Sequence, residues 1–409
     1  MFYFAALSWV FASGVNGAGP APVVETESGN VSGFTRPAPS GGQAVDIFWT
    51  IPYAAPPTGT NRFRPPQPFA EPWAPKTRKS TTYSETMKMQ CLQSTPIAIL
   101  KGQEDCLYLH VYRPHGATRE SKLPVFVFLY GGGFEVGDAY MGGLYDGGNL
   151  VSQHGFIVVT MNYRLGAAGF FALPELRAEE GTTGNYGTQD QRAGLQWVRR
   201  NAARFGGDPQ RVTLCGQSAG AFSVMWHLVS PQSQGLFQAA VIMSGTSNSE
   251  FVFQDEKDTF EFYDAISTHL GCRSGNDRLN CLRSISASKL VSGIAEIVDI
   301  LARLFHRQLP SDIPARASAL FPVMPYGPTI DGAQVGLVDM PLRLVKQGTF
   351  NRVPLMIGGN RDDGHVFGSM VPFLWGHSKP NMHDFVEWFL PNATDQQRAM
   401  ALYGGTLES

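Results

Sequence analysis

Leu123–Leu129 is an unbroken apolar run, the pattern of a strand buried on both faces. Residues 156–160, Ala239–Met243 and residues 353–357 repeat that pattern further along the chain. Residues 190–205 instead carry apolar positions at helical spacing and stop at Gly206-Gly207, which predicts a helix ending there. Residues 211–215 read as another strand, and residues 221–226 begin the helix after it. From about 249 to 320 the pattern is helical and less regular, with residues 260–263 and 294–298 reading as cap or insertion helices. Strands alternating with helices predict an α/β fold with a large, mostly parallel sheet and helices on both faces. Ligands of open α/β sheets gather beside the C-terminal strand ends. Three such ends carry Gly131-Gly132-Gly133, Ser218 and the segment 358–364.

The densest chemistry lies in Gly216-Gln217-Ser218-Ala219-Gly220, between a strand and a helix. Glycines two positions either side of Ser218 let strand and helix approach without a Cβ clash. Such an elbow holds the serine in a strained conformation with its hydroxyl presented. The helix N-terminus adds the Ala219 amide as a donor to developing negative charge. In a chain with 45 glycines the pentapeptide alone is weak; the strand-to-helix context gives it weight.

Composition narrows the classes. With 409 residues, 43% hydrophobic and 16% charged, the chain can bury a large core, and no linker or repeat divides it. Net charge is -2 and no Lys/Arg stripe occurs, so a nucleic-acid partner is not expected. Residues 1–18 read as a signal peptide, an apolar stretch ending in small residues with cleavage between Gly14 and Ala18, and residues 19–409 as one domain. No later run is long and apolar enough to span a bilayer. A membrane anchor and the oligomeric state are not set by the sequence. Cys91 and Cys106 flank one short loop and Cys272 and Cys281 another, while Cys215 sits in the elbow strand. Loops of this size can be closed by disulfides, and spacing alone also allows five reduced thiols. No C-x-x-C or His/Cys cluster occurs, so no metal is expected. Asn30-Val31-Ser32 and Asn392-Ala393-Thr394 are glycosylation sequons if the chain is exported.

Ordered along the chain are Ile51-Pro52-Tyr53-Ala54, Arg62-Phe63-Arg64-Pro65-Pro66 and Glu104-Asp105-Cys106-Leu107-Tyr108-Leu109. Tyr130-Gly131-Gly132-Gly133-Phe134, Asn162-Tyr163-Arg164, Gly184-Asn185-Tyr186-Gly187 and Gly206-Gly207-Asp208-Pro209 follow, with the elbow, Ile330-Asp331-Gly332 and Asn360 to Gly364 after them. From about Val23 onward the chain resembles the type-B carboxylesterases, an α/β-hydrolase family that includes cholinesterases and neuroligins. The resemblance implies a secreted serine esterase acting on a small ester, without metal or organic cofactor. Ser218 would be the nucleophile and Asp363, where the family usually carries glutamate, the acid that orients a catalytic imidazole. Asp362 reads as a solvated turn carboxylate. Gly132 and Gly133 would join Ala219 in an oxyanion hole. Arg62 with Glu104 and Arg164 with Asp190 resemble internal salt bridges, Cys91–Cys106 and Cys272–Cys281 match family disulfides, and Phe251 falls at an acyl-pocket position.

Two departures matter. Gln217 stands where many members carry glutamate, and the Cys91–Cys106 loop offers no tryptophan face for a quaternary ammonium, so choline selectivity is not expected. The catalytic histidine of the family lies well beyond the acid, whereas only His365, His377 and His383 follow Asp363 here. None of the three follows a strand. The expectation is therefore a chain incomplete at its C-terminus, lacking the last sheet strands and hydrolytically weak as written. The alternative is a non-catalytic adhesion module of the neuroligin kind; retention of the serine and the glycine donors favours the esterase.

Overall fold

A computed structural model describes residues 20–38, 41–69, 72–73, 76–86, 88–94, 100–245, 252–275, 277–291 and 326–361, with 363, 394, 397–398 and 400–401. The expected signal peptide, the helix at 294–298, the Asn392 sequon, Asp362, Phe251, His365, His377 and His383 lie outside the described residues.

An eight-stranded sheet organises the chain. Its strands, in chain order, are β1 (Phe34–Arg36), β2 (Val45–Pro52), β3 (Tyr108–Pro114), β4 (Leu123–Leu129), β5 (Ile157–Met161), β6 (Gly207–Gln217), β7 (Ala239–Met243) and β8 (Leu355–Gly358). Across the sheet they run β8-β7-β6-β4-β5-β3-β2-β1. The five strands from β8 to β5 are mutually parallel, and β3, β2 and β1 add on antiparallel. The apolar runs of β4, β5 and β7 lie inside the sheet, whereas the run at 353–357 forms the edge strand β8, where Leu355, Met356 and Ile357 are exposed because only β7 pairs with it. The antiparallel half includes β2, every residue of which is buried.

Helix α1 (Tyr186–Asn201) extends four residues earlier than its apolar spacing suggests, and its last turn tightens into a 3-10 helix, Ala202–Phe205, before Gly206. Helix α2 (Ala219–Val229) is buried at all eleven positions, so it crosses the interior of the domain and does not lie on its rim. A second apolar cluster joins Phe63, Phe171 and Leu176 to Tyr263 and Ile266 of α3 (Glu256–His269) and Leu282 of α4 (Arg278–Ser284). The Cys272–Cys281 disulfide ties α3 to α4, and Cys91–Cys106 closes the other loop, leaving Cys215 free and buried.

Both expected ion pairs form. Arg62 grips Glu104 through two bonds of 2.6 and 2.7 Å. Arg164 grips the fully buried Asp190 through two bonds of 2.7 Å, and its own backbone N–H donates to the same carboxylate at 3.1 Å. Among the described residues no helix is long and apolar enough to cross a membrane.

Candidate active site

Ser218 occupies the step from β6 into α2 with φ 54 and ψ −122, a conformation L-residues rarely adopt. Such strain costs of order 1–3 kcal/mol and persists only where surrounding contacts impose it. Here the Ser218 N–H donates to the Met243 carbonyl at 2.9 Å, fixing the turn to the end of β7. The Ser218 carbonyl accepts from the N–H groups of Ala221 and Phe222 at 2.8 and 3.0 Å, fixing it to α2. The flanking glycines are required by contact. A Cβ on Gly216 would sit 2.8 Å from Ala221 N, and one on Gly220 would sit 2.8 Å from the Tyr130 carbonyl oxygen.

The glycine triplet ends β4, the neighbour of β6, and lies against the serine. A Cβ on Gly131 would come 2.8 Å from the Ser218 Cβ and 2.7 Å from Gln217 Oε1. Gly132 has φ 125, and its carbonyl accepts from the N–H groups of Glu135 and Val136, both at 3.0 Å. That turn curls the segment over the strand end. Below it, Tyr130 and Tyr163 stack at 4.4 Å, and the Tyr163 hydroxyl donates to the Tyr130 carbonyl at 2.7 Å. Further on, Gln93 bonds both the N–H and the C=O of Gly137 at 2.9 Å. The loop is held at its root and at its far side, so its amides are oriented before any ligand arrives.

Asp363 stands beyond the end of β8. Its carboxylate accepts from the Asn360 N–H at 3.1 Å and the Asn360 amide at 3.0 Å. The Ser244 hydroxyl, first, and Asn360 hold this carboxyl below the usual aspartate range. Ser244 itself follows β7 with φ 56, and its N–H donates to the Gly358 carbonyl at 2.8 Å. Ser218, Ser244 and Asp363 therefore mark the ends of β6, β7 and β8. At the usual strand spacing β6 and β8 lie about 10 Å apart, a gap one imidazole between the serine and the acid would bridge. Sequence reading missed Ser244; its signal was a Ser-Gly pair directly after an apolar strand.

The described histidines are engaged elsewhere. His110 Nδ1 accepts from Thr50 N–H, His115 meets Asp46, His154 stacks on Phe156, His227 lies inside α2, and His269 closes α3. Burial pushes both His110 and His227 down to about 3, so each is a neutral ring. Among the described residues no group of three or more His, Cys, Asp or Glu could hold a metal. A surface cleft of about 430 Å³ lined by Glu175, Glu179, Leu279, Asn280 and Arg283 includes none of the candidate residues.

Glu135, two residues after the triplet, was also missed. Among the described residues no cation pairs with this half-buried side chain, whose charge is felt by Tyr263 and Tyr326. Burial raises it from an ordinary 4.5 to about 8. The folded chain thus keeps a proton that the unfolded chain releases. Its contribution to stability is full below about 4.5, declines as pH rises, and is gone above about 8. Melting temperatures of the parent and of Glu135→Gln between pH 5 and 9 should converge at the acid end, with the variant gaining at the alkaline end. A difference independent of pH would contradict this assignment.

The chain matches the family model described as Carboxylesterase family over residues 20–396. It is 34% identical over 371 residues to Cholinesterase of Mus musculus, covering 88% of this chain and 56% of that protein. It is also 34% identical over 387 residues to Carboxylesterase 1D of Rattus norvegicus, covering 91% of this chain and 64% of that one. The chain thus spans less than two thirds of these curated relatives. A solved structure called a thermophylic PNB esterase superposes with TM-score 0.73 at 29% identity, covering 94% of this chain and 72% of its own.

Proposed function

Since the chain belongs to the carboxylesterase family, we propose that it hydrolyses carboxylic esters through an acyl-enzyme on Ser218. One observation carries the reading: a serine held at φ 54 at the head of a buried helix, with a glycine-rich strand end packed against its Cβ. Nothing in core packing calls for that arrangement, whereas attack on an acyl carbon calls for all of it.

In the proposed cycle Ser218 Oγ bonds to the ester carbonyl carbon while its proton passes to a base. The carbonyl oxygen gains the negative charge facing the amides of Gly132, Gly133 and Ala219, where loss of one donor costs roughly 3–4 kcal/mol in the barrier. The carbon–oxygen bond to the alcohol then breaks, and the alcohol leaves with the proton from the base. Water adds to the acyl group in the same way, the carboxylic acid departs, and Ser218 recovers its hydrogen. Asp363, ionised by its bonds to Ser244 and Asn360, would orient the imidazolium that forms between the steps. The substrate is a small ester; Phe251 would line its acyl side, and Gln217, which adds no charge, suits a neutral one. Two disulfides support an oxidising compartment and hence a secreted or extracellular protein.

The test is covalent. Exposure of the folded chain to a fluorophosphonate should leave one phosphonyl group on the peptide containing Ser218 and none on the Ser218→Ala variant. An unmodified Ser218 in folded protein that also carries the family's C-terminal histidine would sink the proposal.

A further inference from the structure

A chain of buried polar side chains runs the length of α2 and ends beneath the elbow. Ser233, just past the helix, lies 2.9 Å from His227 Nδ1, and His227 Nε2 lies 3.3 Å from Gln191 Oε1. Gln191 Nε2 donates to Ser223 Oγ at 2.9 Å, and Ser223 Oγ donates to the Ala219 carbonyl at 2.9 Å. All four side chains are buried. Gln191 Oε1 only accepts, so His227 must carry its proton on Nε2 and accept from Ser233 on Nδ1. Every bond then points the same way, from the Ser233 hydroxyl to the peptide that follows Ser218's own. The ring stays neutral beside Arg192, whose guanidinium lies over the adjacent Trp226. The far end is anchored as well: Asn351 donates to the His227 and Ser230 carbonyls at 2.8 and 3.1 Å.

Helix α2 could be buried without any of these groups, since apolar side chains would fill the same space at lower desolvation cost. The relay couples the first turn of α2 to α1, the helix that also carries Asp190. We propose that Ser223, Gln191 and His227 are positioning residues for the elbow, setting the height of the first turn of α2 and so the aim of the Ser218 hydroxyl and the Ala219 amide. This rests on the ester-hydrolase reading for its catalytic consequence, though not for its structural one.

Two readouts separate the parts. Amide hydrogen exchange at Ala221 and Phe222, which donate to the Ser218 carbonyl, reports the elbow whether or not the chain is active. The second-order rate of fluorophosphonate labelling, with kcat and KM for a short-chain p-nitrophenyl ester, reports its catalytic aim. Ser223→Ala and His227→Leu should speed exchange at both amides and slow labelling about tenfold to a hundredfold, through kcat with KM little changed. Ser223→Thr and His227→Gln, which keep a hydroxyl and a donor at the same places, should restore both, and they answer the question if the harsher variants do not fold. Variants that melt earlier yet keep parental exchange and labelling rates would overturn the proposal. If the parent is never labelled even when it carries the family's C-terminal histidine, the ester-hydrolase reading fails, and the exchange measurements still decide whether the relay holds the elbow.

Discussion

Gly220→Ala is expected to cost about 3 kcal/mol or more, and Gly220→Val to leave no cooperatively folded protein. The new Cβ would meet the carbonyls of Leu129 and Tyr130, which are backbone atoms at the end of β4. No side-chain rotation relieves such a contact. Either α2 retreats, pulling Ser218 from the end of β6, or β4 shifts against the parallel neighbours that pair with it from Val125 to Leu129. Thermal melting followed by circular dichroism measures the effect, and Gly358→Ala supplies the comparison. Gly358 lies in a strand where an added methyl would have nothing within 4 Å, so that substitution should stay within about 0.5 kcal/mol of the parent. Equal melting of the Gly220 and Gly358 variants would refute the close-approach argument.

Asp190→Ala should destabilise the chain by about 3–5 kcal/mol, because it leaves the Arg164 guanidinium buried without its carboxylate. The pair is nearly sealed, with side-chain exposures of 3% and 0%. Burial, the largest influence, pushes Asp190 above the usual aspartate range in spite of the three bonds from Arg164. The direction says that desolvation outweighs attraction, so the pair contributes less to stability than its geometry suggests. A double variant, Arg164→Met with Asp190→Leu, should accordingly recover most of what the single variant loses. Chemical denaturation of the parent, the Arg164→Met and Asp190→Leu singles and the double variant tests this through the coupling between the two positions. A double variant no more stable than the singles would mean that loss of the ion pair itself, and not an orphaned charge, carries the energy.

The elements most legible in the chain are those governed by neighbouring residues. Leu123–Leu129 and Ala239–Met243 are strands over the lengths their apolar runs suggest. The elbow appears as a strand-to-helix turn because its glycine spacing is a local steric requirement. By contrast, β2 and β3 passed unnoticed. Their polar members, Asp46, His110 and Arg113, interrupt the apolar pattern, yet they are buried because each finds a partner distant in sequence. Helix α1 started earlier than expected for a related reason. Thr188 and Gln189 look solvent-facing by type, but they bond to Asn185, Thr182 and the Val335 carbonyl inside the structure.

Local chemistry along the chain was enough to determine the fold class, the nucleophile candidate and the glycine loop, since a turn, a cap and an apolar strand are decided by residues within a few positions of one another. Tertiary structure alone decided that Ser244 holds Asp363, that burial raises the Glu135 carboxyl above its ordinary range, and that Gln191 and His227 reach the first turn of α2. Those facts depend on the strand order β8-β7-β6-β4 and on what burial does to a charge. Neither quantity exists until segments more than a hundred residues apart exclude water from one another.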